Sequence, residues 1–95
     1  MADRFVLIKF KKSNTQFKKY DAIIMDKITK RKQIIPFGDK RYEQYRDDTN
    51  LRLYTRLNHL DEKRRKNYLS RHAETMKKKW SPSYFAAKFL WAANI

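Results

Sequence analysis

Few side chains in this sequence could do chemistry. His59 stands two residues before Asp61, and His72 two before Glu74, so either pair has the residue types for a metal ligand set or an acid–base couple. A structural zinc site needs four ligands, and no His-x-x-x-His or carboxylate cluster supplies the others. Surface or capping roles are expected for both histidines. Ser13, Ser70, Ser81 and Ser83 have no His–Asp pair at a spacing that would activate a hydroxyl. Gly38 is the sole glycine, so no Gly-rich phosphate loop can form. The chain has no cysteine, which excludes disulfides, iron–sulfur clusters and Cys-based zinc sites. No catalytic residue, metal or cofactor is expected. The sequence reads as a non-enzyme.

Charge offers more. Lys63, Arg64, Arg65 and Lys66, with Arg71, cover one broad face if the segment is helical, and arginine grips phosphates or carboxylates through paired hydrogen bonds. A merely solvated helix face would look the same. The whole chain tilts the balance, because 24 Lys and Arg against 10 Asp and Glu leave a net charge of +14. A polyanion or an acidic protein would relieve that self-repulsion. Nucleic acid, an acidic protein surface and an anionic membrane face are the candidate partners. Ser81-Pro82 follows three lysines in the manner of minor-groove Ser-Pro motifs, but a helix cap explains it better.

The elements that must position these residues can be read in turn. Ninety-five residues, 41% of them hydrophobic and fourteen aromatic, make one domain with a thin core. No stretch reaches the roughly 18 apolar residues of a transmembrane helix, and the N-terminus lacks a signal-peptide pattern, so a soluble intracellular protein is expected. Phe5-Val6-Leu7-Ile8, Tyr20 to Met25, and Gln33-Ile34-Ile35-Pro36-Phe37 are β-branched and aromatic runs separated by polar turns. They predict an antiparallel meander over residues 1–38. Pro36 lacks a backbone donor and belongs at an edge or strand end. Lysines and arginines flank every strand, as edge protection or for a partner.

Residues 39–79 change period. Asp39, and Asp48 or Asn50, are candidate helix N-caps. Tyr42 and Tyr45 fit a short helical turn, and Leu53, Leu57 and Leu60 a second short helix or an ordered loop. Asp61 to Lys79 predicts the clearest helix, with acids at its start, Lys77, Lys78 and Lys79 at its end, and Tyr68, Leu69, Ala73, Met76 and Trp80 as its core stripe. Ser81-Pro82 starts a last helix in residues 80–95. Trp80, Tyr84, Phe85, Phe89, Leu90 and Trp91 exceed what a small core hides, so they are either core or a docking element, part of it an exposed aromatic patch.

Phe37-Gly38, Tyr42, Tyr45, His59, Asp61, Arg64-Arg65, Tyr68, Arg71-His72, Ser81-Pro82, Tyr84-Phe85 and Leu90-Trp91 form a combination of spacings across residues 18–91. In this combination the chain resembles a family of small basic proteins of nucleocytoplasmic large DNA viruses, departing from it at Asn50, where members often carry proline. The resemblance implies a viral origin and brings no established activity.

The expected fold is α+β: an N-terminal three-stranded antiparallel sheet followed by two to four helices packed on it. The preferred function is a virion structural protein, a minor capsid or cement component binding acidic surfaces of larger capsid proteins. It would act in the virion, and in host cytoplasm or nucleus during assembly. The alternative is a nucleic-acid-binding protein that packages or condenses the viral genome, and composition alone also allows a ribosomal protein. The expected binding residues are Lys63, Arg64, Arg65, Lys66 and Arg71, with Trp80, Tyr84, Phe85, Phe89 and Trp91 as docking or core aromatics.

Overall fold

The three β-branched and aromatic runs pair with one another. In the computed structural model, which describes residues 3–95, β1 (Phe5–Lys12), β2 (Tyr20–Asp26) and β3 (Lys32–Phe37) form one antiparallel sheet in the order β1-β2-β3. Asp26 shapes the β2–β3 turn: one carboxylate oxygen accepts from the N–H groups of Ile28 and Thr29 at 2.8 and 3.3 Å, and the other pairs with the Arg4 guanidinium at 2.7 Å. Pro36 lies in the edge strand β3, where a missing ladder donor is tolerated.

Strict alternation along β1 would send Phe5, Leu7 and Lys9 to one face and Phe10 to the other. A bulge between Leu7 and Lys9 absorbs Ile8, so that Leu7 pairs with Ile24 and Phe10 with Ala22. Ile24 and Ala22 share a face of β2, and therefore Leu7 and Phe10 both turn to the core. That face also carries Tyr20 and Phe37, and all but the half-buried Leu7 are buried.

The helix α2 (Pro82–Leu90) covers it. The Phe85 ring lies 6.4 Å from Phe10 and 5.6 Å from Phe37, and the Phe89 ring 4.7 Å from Phe10. Ser81 accepts the Tyr84 N–H at 3.1 Å and Pro82 takes the first helical position, so the cap forms as its residue types dictate. The architecture is α+β. No described helix is long and apolar enough to cross a membrane.

The structure corrects the middle of the chain in two places. Asp39 caps no helix; its carboxylate accepts the Arg41 N–H at 2.9 Å and pairs with the same residue's guanidinium. Asp48 and Asn50 cap none either, and Asp48 pairs instead with Arg46. Residues 39–60 are an ordered loop with a single 3-10 turn, Thr55–Leu57. The second correction is the length of α1, which spans Glu62–Arg71 and stops eight residues before Lys79. Eight more helical residues would carry the chain roughly 12 Å onward. Instead a 3-10 turn, Thr75–Lys77, and a left-handed Trp80 (φ +70°) fold it back. Trp80 then packs on Phe5, and its indole N–H donates to Asp3 at 3.2 Å. Leu69, Ala73 and Met76 are only half-buried, so the expected core stripe is shallow.

Candidate functional site

A cavity of about 630 Å³ opens where the β1–β2 and β3–α1 connections meet α1 and α2. Lys18, Lys19 and Gly38 line one side, and α1 contributes Arg64, Tyr68 and Arg71 at helical spacing. Gly38 is required by geometry. Its φ is +75°, and a Cβ there would lie 2.9 Å from Leu90 Cδ1 and 3.2 Å from Lys19 Cβ. Only glycine lets the chain leave β3 against Lys19 and α2 while keeping the cavity open.

Lys19 is 2% exposed although it carries an amine. Its Nζ donates to the Tyr42 carbonyl at 3.0 Å and to the Gln44 side-chain oxygen. Burial pulls the ammonium down to about 8, against the attraction of Asp47 and Asp39. Gln44 passes the network on, donating to the Tyr54 carbonyl and to Asn58 Oδ1, each at 2.7 Å. Asn58 Oδ1 also accepts the Asp47 N–H at 2.8 Å. Asp47 in turn accepts from the Tyr20 hydroxyl at 2.5 Å and from Thr49 Oγ1 at 2.6 Å. These buried polar groups hold the 39–60 loop rigid without a helix.

Three rings stack where α1 meets the end of α2. Tyr68 lies 4.1 Å from Trp91 at an interplanar angle of 3°, and 4.3 Å from His72. Burial pushes the Tyr68 hydroxyl up to about 12, so it stays protonated at neutral pH. Tyr68, His72 and Trp91 all line the cavity, while Lys18 and Arg71 add cationic groups that form no ion pair among the described residues. Two acids interrupt the cationic lining: Asp39, and Glu43, which binds Arg64 at 3.0 Å.

The five basic residues singled out from the sequence separate. Arg64 and Arg71 line the cavity, while Lys63 and Lys66 stand on the exposed surface of α1. Arg65 is held by the domain itself. It donates to the carbonyls of Trp91 at 3.1 Å and Ala92 at 2.9 Å, and pairs with Glu62 at 2.7 Å. The N–H groups of Arg46 and Asp48 reach the Leu90 and Phe89 carbonyls at 3.0 and 2.8 Å. Arg65 and the loop thus satisfy the carbonyls at the end of α2 that no helical turn can reach.

Of the docking-or-core aromatics, Tyr84 and Phe85 are buried, Trp80 and Phe89 are half-buried against the core cluster, and Trp91 is half-buried and lines the cavity, so none of the five is fully exposed. His59 accepts the Asp61 N–H through Nδ1 at 2.9 Å, in a capping role. Burial, with Arg64 nearby, lowers its pKa. Among the described residues no three His, Asp or Glu side chains gather as a metal would require.

Sequence reasoning passed over Lys18, Lys19 and Asn67 as cavity residues and placed Tyr68 in a core. One signal was present: the sole glycine directly follows a strand that ends in phenylalanine. No family model, curated protein or solved structure matches the chain.

Proposed function

We propose that the protein is a non-enzymatic virion structural protein, a minor capsid or cement component that docks acidic segments of larger capsid proteins. The observation that carries this reading is the make-up of the cavity. Lys18 and Arg71, without ion-pair partners among the described residues, stand beside the Tyr68–Trp91 stack in a space that admits a few side chains. A carboxylate can pair with either cation while an apolar neighbouring side chain packs against the stacked rings at their edges. Asp39 and Glu43 favour a protein ligand over nucleic acid, because a phosphate backbone carries charge at every step and would run against both acids. A peptide can place its acids to avoid them. The viral setting comes from the sequence resemblance.

The second reading, condensation of a viral genome, is supported by the spread of cations without ion-pair partners over both sheet and helices of the described residues. Competition separates the two. Polyglutamate and duplex DNA of equal charge are titrated into the full chain and into Lys18→Glu/Arg71→Glu. The docking reading expects polyglutamate affinity to fall at least about tenfold and DNA affinity to change little. Equal losses for both polymers, or recovery of the protein with the genome core of fractionated particles, would turn the assignment to packaging.

A further inference from the structure

The face of the sheet turned away from α2 is open along its outer strands, while Ile23 and Asp21 of the central strand are buried between them. The strand registers set its side chains in three rows: Val6, Met25, Lys32; Lys9, Ile23, Ile34; and Lys11, Asp21, Pro36. The bulged Ile8 falls between the first two rows. Val6, Ile8 and Ile34 are 36%, 43% and 56% exposed, unusual for aliphatic side chains gathered on one sheet face. Lys9, Lys11 and Lys32 form no ion pair among the described residues. The single acid of the rows, Asp21, is buried, and its Oδ1 has no donor. The surface is therefore an aliphatic centre with an unopposed cationic border.

We propose that this face docks an acidic amphipathic helix of another protein. The outer strands of a three-stranded sheet lie roughly 10 Å apart, about the diameter of one helix. Sheets bury their faces against helices, as this one already does beneath α2. The apolar stripe of the incoming helix lies on Val6, Ile8, Met25 and Ile34, and its flanking Asp and Glu residues meet Lys9, Lys11 and Lys32. Charge selects against other occupants. A second copy would bring two domains of +14 together, lysine against lysine. Nucleic acid would satisfy the lysines but press phosphates onto aliphatic groups that gain nothing from them. The surface lies on the opposite layer from the cavity and does not depend on it. A chain holding a segment at each would bridge two partners.

The test uses a synthetic peptide of about 18 residues, roughly five helical turns, with leucines at three- and four-residue steps and glutamates on both flanks. It is titrated into the isotope-labelled full chain, with amide shifts followed by NMR. Shifts are expected in β1 and β3. Ile8→Ser/Ile34→Ser, which leaves the net charge unchanged, should weaken binding about tenfold, and so should scrambling the peptide at constant composition. Both positions are exposed, so the variant should melt with the wild type. Lys63→Glu/Lys66→Glu on α1 should bind nearly as wild type. Equal affinity for the scrambled peptide would reduce the effect to bulk charge and overturn the proposal. Shifts confined to α1 and the cavity would overturn it too. A wild-type dimer that Ile8→Ser/Ile34→Ser dissolves would assign the face to a second copy, and displacement of the peptide by duplex DNA from β1 and β3 would assign it to nucleic acid.

Discussion

Lys19 couples the cavity to the stability of the protein. Its ammonium is pulled down to about 8 in the folded chain and titrates near 10.5 when solvated. Between those values the folded protein has released a proton that the unfolded chain still holds, so stability rises with pH across the window. Tyr20 and Tyr68 act the other way. Their hydroxyls are pushed up to about 12, so unfolded tyrosines ionise first above pH 10 and stability falls from there. Urea titrations should therefore show a rise from pH 8 to about 10 and a decline beyond. Lys19→Met should abolish the rise and leave the decline; a rise that persists would mean another group carries it. Gly38 is the other residue under tight constraint. Gly38→Ala must adopt a positive φ, costing about 1–2 kcal/mol before the approach to Leu90 is counted. A denaturation midpoint unchanged by that substitution would contradict a left-handed backbone at residue 38.

The elements differ in how firmly they hold the fold. Phe85 is fully exchanged from water into the aromatic cluster on the sheet, so Phe85→Ala should cost about 3–5 kcal/mol. Leu69 on α1 is half-buried, and Leu69→Ala should cost about 1 kcal/mol, below the usual 2–5 for a core leucine. Comparable losses at the two sites would mean that α1 packs as deeply as α2. Truncation after Lys79 removes Tyr84, Phe85 and Leu90 from the core, and the remainder should fail to fold cooperatively. The three strands were legible because β-branched runs and turn residues act locally. The Ile8 bulge was not, since only the pairing partner reveals which residue is extra. The 39–60 loop was hidden for a related reason: its order comes from Lys19, Gln44, Asp47 and Asn58, polar residues that meet across long stretches of sequence. The premature end of α1 reflects contacts of Trp80 with Phe5 and Asp3, at the far end of the chain. Of the cavity, composition gave the cationic character and the spacing of Arg64 with Arg71. It could not give Lys18 or the Tyr68–Trp91 stack, which exist only once α1 and α2 are brought side by side.

On the scale of the whole molecule, charge is the dominant unbalanced quantity. Six of the 24 Lys and Arg residues engage in the ion pairs of the described residues, namely Arg4, Arg41, Arg46, Arg64, Arg65 and Lys79. The other cations face one another across a domain whose Cα radius of gyration is 13.3 Å. At physiological ionic strength charges are screened beyond about 8 Å, and in dilute buffer only beyond about 30 Å, so repulsion then acts across the whole domain. Added salt weakens both the repulsion and the surface ion pairs, but exposed pairs contribute about 0–1 kcal/mol each and are fewer than the remaining cations. Repulsion should win. The melting temperature is expected to rise as sodium chloride increases from about 20 to about 200 mM. Polyglutamate at constant ionic strength should raise it further, because a ligand that binds the folded surface stabilises in proportion to the logarithm of its concentration over its dissociation constant. Calorimetry across both series checks the argument. A melting temperature that falls with salt would give the ion pairs the larger share, and one unmoved by polyglutamate would leave the folded domain without a preference for clustered carboxylates.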